Sequence, residues 1–199
     1  IIYSKLKNIK VPIIVDPIIK STTGSILLKK NALTDYKKII IPLADIITPN
    51  RYEAKILSGL TDVKKSARKI QALGAKCVII TGYTETNTKI SDFILEGNKE
   101  YEISSKKIPI INHGSGCNYS SSIASSIVKG FTINSAVKTA KKYVLDSIKN
   151  SKNIGKGVNI THKTFIKNKN DLMNSINNFK QIQNIYKAIP ECQTNFVFS

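Results

Sequence analysis

The stretch ADIITPNRYEAKILSGLTDVKKSARKIQALGAKCVIIT, residues 44–81, opens and closes on a short apolar run and carries helical spacing between the two. Residues 44–48 and 77–81 are too short for helices and nearly all apolar, which is how a strand buried on both faces reads. Pro49 closes the first run. Residues 52–57 and 63–73 place apolar side chains at helical intervals, and Gly74 stands where a helix C-cap is expected. Upstream, residues 11–17 (VPIIVDP) repeat the buried-strand pattern. Gly24 follows in a Ser/Thr-rich turn, and residues 32–40 regain helical spacing. Downstream, residues 89–95 and 99–104, joined across Glu96-Gly97-Asn98, read as an antiparallel hairpin at a sheet edge. After Pro109 and a loop, two helices are expected at 117–129 and 133–150. Strands alternating with helices predict an α/β fold of three layers, with a mostly parallel sheet covered by helices on both faces.

Composition narrows the function classes. The chain has 199 residues and a net charge of +18, which raises nucleic acid or an anionic membrane as partners. Yet of its 31 basic residues only Arg51 and Arg68 are arginine, so the planar fork that reads bases and phosphates is nearly missing. The lysines are scattered among isoleucines and asparagines, as a compositional bias would leave them. Neither nucleic acid nor membrane is expected as a partner. Cys77, Cys117 and Cys192 are odd in number and far apart, so neither a disulfide framework nor a CxxC metal site is expected. A reduced, cytoplasmic setting follows as the expectation. The chain opens on Ile1-Ile2-Tyr3-Ser4, which reads as the middle of a helix and as a fragment of something longer.

The strongest chemical signal is His113-Gly114-Ser115-Gly116-Cys117, followed by Ser120, Ser121, Ser122, Ala124, Ser125 and Ser126. Two glycines permit left-handed backbone, so successive N–H groups can converge on one point. A helix starting at Cys117 would add its unpaired N–H groups and partial positive charge. Such a place suits the negative charge that develops as a phosphoryl group moves between oxygens. Cys117, in the first turn, would have its thiol pKa lowered by the same field. The plainer reading is a glycine-rich loop entering a helix beside a small cysteine. Thr48-Pro49-Asn50-Arg51-Tyr52-Glu53 also has two readings. Asn50 and Glu53 form a capping-box pair, or they position a hydrated magnesium ion at the carboxyl end of a parallel strand, where ligands bind in open α/β sheets. Asp16, before Pro17, and Thr81-Gly82 stand at the ends of two further strands.

Taken in order, these pieces resemble the ribokinase-like superfamily, and within it the hydroxymethylpyrimidine phosphate kinases of thiamine biosynthesis. The resemblance is carried by IIVDPIIKSTTGSILL (13–28), ADIITPNRYEAKILSG (44–59), LGAKCVIITG (73–82), INHGSGCNYSSSIASSIVKG (111–130) and NSAVKTAKKYV (134–144). Cys117 is its specific part, since most of the superfamily carries Asp there. The resemblance implies Cys117 as catalytic base and Gly114, Ser115 and Gly116 as the anion hole. It implies Asn50 and Glu53 at magnesium (through water) and at phosphate, Thr81 and Gly82 at the nucleotide, and Asp16 and Ile18 at the pyrimidine. It also implies Mg-ATP as phosphoryl donor, and as acceptors 4-amino-5-hydroxymethyl-2-methylpyrimidine and then its monophosphate. Pyridoxal or sugar kinase activity, a non-catalytic remnant and a cysteine hydrolase using Cys117 with His113 or His162 are the alternatives.

The pattern departs from the family in four ways. Thr22 stands where Lys is common, Tyr83 where Gly is usual, and Asn118 where Thr follows the Cys. The family's N-terminal strands are expected to be missing, which predicts an exposed strand edge and a fragment weak or inactive alone. Residues 1–162 are thus expected to be the C-terminal part of a kinase domain. From Ser151 the composition of Asn, Lys and Gly reads as a linker. Helical spacing returns at 171–187, so residues 163–199 are expected to enter a further domain, similar to the junction with a fused thiamine-phosphate synthase. A homodimer is a further partner to consider.

Overall fold

The computed structural model describes residues 2–8, 10–21, 24–110, 112–152 and 158–161, with residues 170 and 173. The chain divides into a unit of residues 1–162 and one of 163–199. Of the helix expected at 171–187, all but residue 173 lies outside the described residues.

In chain order the first unit runs α1 (Ile2–Leu6), β1 (Ile14–Val15), α2 (Ala32–Asp35), β2 (Ile46–Ile47), α3 (Arg51–Ser58), α4 (Val63–Ala72) and β3 (Cys77–Glu85). It continues with β4 (Lys89–Glu96), β5 (Lys99–Lys106), β6 (Asn112–His113), α5 (Ser115–Val128), α6 (Ile133–Lys149) and β7 (Asn159–Ile160). One five-stranded sheet has the order β1-β2-β3-β4-β5. β1, β2 and β3 pair parallel, with Ile14 opposite Ile46 and Ile46 opposite Cys77. β4 turns back antiparallel, and β5 turns again, so four of the five strands share one direction. Among the described residues β1 ends the sheet on one side.

The buried-strand reading has a simple physical basis. Successive side chains of a strand point to opposite faces, so a strand covered on both sides must be apolar at every position. Ile47, Val78, Ile80, Phe93 and Leu95 pack with Ala54, Leu57, Ala67 and Ile70 of α3 and α4 on one face. Their neighbours Ile46, Cys77, Ile79 and Ile94 pack with Tyr119, Ile123, Ala136, Val137 and Ala140 of α5 and α6 on the other. Each such isoleucine taken from water contributes about 1.5–3 kcal/mol. The result is three layers, helix–sheet–helix.

The caps explain most helix boundaries. Asp62 accepts from the Lys65 N–H at the start of α4, and Thr132 from the Ser135 N–H at the start of α6. Gly59 (φ 77°) ends α3 in the left-handed conformation. Gly74 (φ 118°) follows α4 where a Cβ would lie 2.8 Å from Pro42 Cα, so a side chain has neither the backbone nor the room there.

Three expectations need correction. Only residues 32–35 of the helix expected over 32–40 are α-helical. The next turns widen to a π-helix at Tyr36–Ile40 and tighten to a 3-10 turn at Ile41–Leu43, where Pro42 has no N–H to extend the ladder. β3 runs on past Thr81 to Glu85, with a register shift between Ile80 and Thr84. Finally, the linker read from Ser151 onward includes β7, which pairs parallel with β6.

Candidate active site

α5 begins at Ser115, two residues before the expected start, so Cys117 is its third residue. Of the two loop glycines only Gly114 takes positive φ, at 92°. Gly116 is helical, and nothing lies within 4 Å of where its Cβ would stand. Its N-cap residue, Gly114, has no side chain to cap it, whereas α3, α4 and α6 are capped by Asn50, Asp62 and Thr132. The first N–H groups of a helix have no partner within it, and two of the residues that carry them here, Ser115 and Gly116, line a cleft.

Gly114 is set from a distance. A Cβ on it would stand 2.9 Å from Thr161 Oγ1. That hydroxyl donates to the His113 carbonyl at 3.0 Å and accepts from Asn118 Nδ2 at 2.9 Å. The backbone N–H of Thr161 donates to the same carbonyl at 3.1 Å. The segment read as linker therefore returns to fasten the glycine loop, and Asn118, where Thr was expected, is the side chain that reaches it. Thr161 carried no signal by itself, because its partner lies 48 positions earlier.

Asn50 and Glu53 form the complete capping box. The Glu53 N–H donates to Asn50 Oδ1 at 3.0 Å, and the Asn50 N–H to Glu53 Oε2 at 2.9 Å. The Ile19 N–H reaches Glu53 Oε1 at 3.4 Å. Both carboxylate oxygens of this buried side chain thus accept from backbone, and the structural reading of Glu53 holds. Thr81 follows directly: its N–H donates to the Pro49 carbonyl at 2.9 Å, extending the β2–β3 pairing to Asn50. Gly82 (φ 59°) comes next, in the bulge of β3.

A cleft of about 720 Å³ joins these parts. Asn50, Thr81 and Gly82 line it together with Ser115 and Gly116 at the tip of α5. Ile108, Pro109, Val144, Leu145 and Ile148 supply an apolar end. Gly114 stands just behind the tip, and Glu53 is buried behind Asn50.

Asp16, Ile18 and Cys117 are outside that lining. Ser120, one turn beyond Cys117 on the same face of α5, donates to Asp16 Oδ2 at 3.2 Å. Gly116 and Tyr119, one turn apart on the neighbouring face, line the cleft. Asp16, beside the exposed Ile18, thus meets α5 through Ser120 and lies near enough to Glu53 for its charge to act there. Cys117 is exposed, whereas Cys77 is buried and its thiol is pushed up to about 12, mainly by burial. Burial also lifts the Asp16 carboxyl above the usual carboxylate range, against the Ser120 hydrogen bond. It lifts the Glu53 carboxyl too; the Asn50 and Ile19 N–H groups oppose this and the nearby Asp16 charge adds to it.

A polar cluster absent from the sequence reading, Asp92, Tyr119 and Lys141, also lines the cleft. Lys141 Nζ is 2.8 Å from Asp92 Oδ2, and both side chains are buried. The Tyr119 hydroxyl donates to the same oxygen at 2.7 Å, and the Gly82 N–H to Asp92 Oδ1 at 3.0 Å. A lysine inside the apolar stripe Ala136, Val137, Ala140 and an aspartate inside a buried strand were the available signals.

Among the described residues no group of three or more His, Cys, Asp or Glu could cage a metal ion. No helix among them is long and apolar enough to cross a membrane.

The profile of the phosphomethylpyrimidine kinase family matches residues 1–162. This chain belongs to that family. It is 39% identical over 167 residues to a hydroxymethylpyrimidine/phosphomethylpyrimidine kinase of Aquifex aeolicus, covering 80% of this chain and 66% of that protein. It is 33% identical over 150 residues to a thiamine biosynthetic bifunctional enzyme of Arabidopsis thaliana, covering 71% and 29%. Among solved structures, an ADP complex of Bacillus subtilis pyridoxal kinase superposes with a TM-score of 0.67 at 30% identity, covering 79% of this chain and 60% of that one. A phosphomethylpyrimidine kinase of Clostridium difficile superposes at 0.60 with 31% identity, covering 74% and 62%. The chain thus spans about three fifths of the length of its kinase relatives and less than a third of the bifunctional enzyme. The α/β ribokinase-like fold expected from the sequence is the fold found.

Proposed function

We propose that the protein transfers the γ-phosphoryl group of ATP to the hydroxymethyl oxygen of 4-amino-5-hydroxymethyl-2-methylpyrimidine, and then a second phosphoryl group to the monophosphate. The observation that carries this reading is the cleft lined by Asn50, Thr81 and Gly82 together with Ser115 and Gly116 at the start of α5.

In this reading the nucleotide phosphates lie along that cleft. The N–H groups at Ser115, Gly116 and Cys117 face the charge that grows on the migrating group. Open space at Gly116 leaves room for phosphate oxygens to approach the backbone. The acceptor sits at Ile18 and at Asp16, which Ser120 of α5 meets. The hydroxymethyl oxygen bonds to γ-phosphorus, the bond to the bridging oxygen breaks, and ADP leaves with that electron pair. Cys117 takes the hydroxyl proton. The second transfer attacks with a phosphate oxygen that is already anionic, so it depends on the base less.

Magnesium fits only through water. The Glu53 oxygens are engaged by backbone N–H groups and Asn50 Oδ1 by the Glu53 N–H, which suits an ion that keeps its waters and arrives on phosphates. Bound there, it would neutralise charge on the transferring phosphates. Asn50, on the cleft wall, and Glu53 behind it are the residues that would orient its waters.

Pyridoxal phosphorylation is the second reading, favoured by the higher superposition on a pyridoxal kinase. Initial rates with the hydroxymethylpyrimidine, its monophosphate and pyridoxal, measured side by side with Mg-ATP, test the proposal. Preference for the two pyrimidines supports it; preference for pyridoxal replaces it with the second reading. A fused thiamine-phosphate synthase domain beyond residue 162 and pairing into a homodimer are further parts of the proposal, tested by the mass of the native protein and of its assembly in solution.

A further inference from the structure

Asp92 is bonded both to the β3 bulge and to α5, two elements that line the cleft. Through Oδ1 it accepts from the Gly82 N–H, within the bulge of β3. Through Oδ2 it accepts from the hydroxyl of Tyr119, one turn beyond Gly116 on the face of α5 that lines the same cavity. Lys141 of α6 lies against that second oxygen, and its side chain is 8% exposed. Tyr119 stays protonated and donating, because burial and then the Asp92 charge hold its hydroxyl well above the usual range. Two elements more than thirty residues apart in sequence, the β3 bulge and the α5 tip, are therefore hydrogen-bonded to one carboxylate.

A buried ion pair is a costly way to stabilise a core, and apolar residues of similar size often do as well or better. What apolar residues cannot do is accept hydrogen bonds at two fixed angles. We propose that Asp92 and Lys141 are positioning residues for the nucleotide phosphates: the Lys141-paired Asp92 carboxylate sets the spacing between the Gly82 turn and the N-terminal amides of α5. This rests on the nucleotide reading of the cleft. Catalytic geometry tolerates little slack, since a misplacement of about 1 Å can cost about 100-fold. A hydrogen-bonded anchor shared by both walls meets that demand.

The test compares the protein with the double variant Asp92→Leu/Lys141→Met, which removes both charges together and leaves neither unpaired. AMP-PCP affinity is measured by calorimetry with Mg2+, and stability by thermal melting. The expected result is a folded protein with a lowered melting temperature, because the Gly82 N–H and the Tyr119 hydroxyl lose their acceptor, and with AMP-PCP bound about 10-fold more weakly, the equivalent of one lost charge-assisted hydrogen bond. Equal affinity in the two proteins overturns the positioning role and leaves the nucleotide site standing. Absence of binding to the parent removes the nucleotide reading and this inference with it. Should the double variant not fold, Tyr119→Phe, which deletes one hydroxyl on the α5 side, is compared instead. Weaker AMP-PCP binding is expected there; unchanged binding overturns the inference.

Discussion

Replacing Gly114 by alanine tests how the anion loop is built. At φ 92° an alanine pays a left-handed penalty of about 1–2 kcal/mol. Its Cβ would also stand 2.9 Å from Thr161 Oγ1, closer than carbon and oxygen settle. Thr161 must then move, and weakening its hydrogen bonds to the His113 carbonyl and Asn118 costs about 1 kcal/mol in all. A loss of about 2–3 kcal/mol lowers the melting temperature by about 4–12 °C in a chain of this size. Because the displaced segment leads into the first N–H groups of α5, kcat should fall by about 100-fold, as for loss of one donor to a developing anion. The assay is a double-mutant cycle with Thr161→Gly, which removes the opposing oxygen, read by melting and by ATP turnover. Part of the stability lost in Gly114→Ala should return in the double variant, since groups in contact do not add. Strict additivity, or a Gly114→Ala protein as stable and active as the parent, would refute the reasoning.

Cys117→Ala should slow phosphorylation of the free hydroxymethylpyrimidine more than that of its monophosphate, measured as separate initial rates; equal losses contradict the base role. Glu53→Ala leaves the Asn50 and Ile19 N–H groups without their acceptor, so stability should drop by about 1–3 kcal/mol in a denaturant titration. An unchanged midpoint would deny the capping box its part. Asp45 is partly desolvated, which raises its pKa. The Lys76 ammonium and Ile13 N–H more than offset this, and the net shift is downward. A carboxyl depressed on folding stabilises above its unfolded pKa, so that contribution should be present at neutral pH and disappear as pH falls below about 4. Asp45→Asn should flatten this part of the stability–pH curve, and an identical curve would contradict the pairing. Iodoacetamide should label the exposed Cys117 in the native protein and spare Cys77, whose buried thiol is held at about 12; peptide mass spectrometry reads the difference.

The sheet was legible because burial on two faces leaves a local mark: Ile46-Ile47 and the run from Cys77 to Ile80 admit no polar residue. The capping box at Asn50 and Glu53 was equally local, since both partners lie within one turn. What escaped was long-range. Thr161 acts on Gly114 from across a segment whose composition reads as linker, and nothing at position 161 announces it. Asp92 and Lys141 interrupt apolar patterns, and the groups that explain them, Tyr119 and the Gly82 N–H, come from other elements. The start of α5 was placed two residues late because Gly-Ser-Gly suggests loop by propensity, whereas Ser115 and Gly116 belong to the helix. Tyr83, unusual beside its family, packs edge-on against Phe93 at 5.9 Å and so has a local reason to be there.

Titrating the isotope-labelled protein with Mg-AMP-PCP, and following backbone amide resonances, probes the phosphate cleft most directly. The resonances of Thr81, Gly82, Ser115, Gly116 and Cys117 are predicted to shift most, on both walls and at one common affinity. Shifts confined to other surfaces, with those five amides unmoved at saturation, would contradict the account.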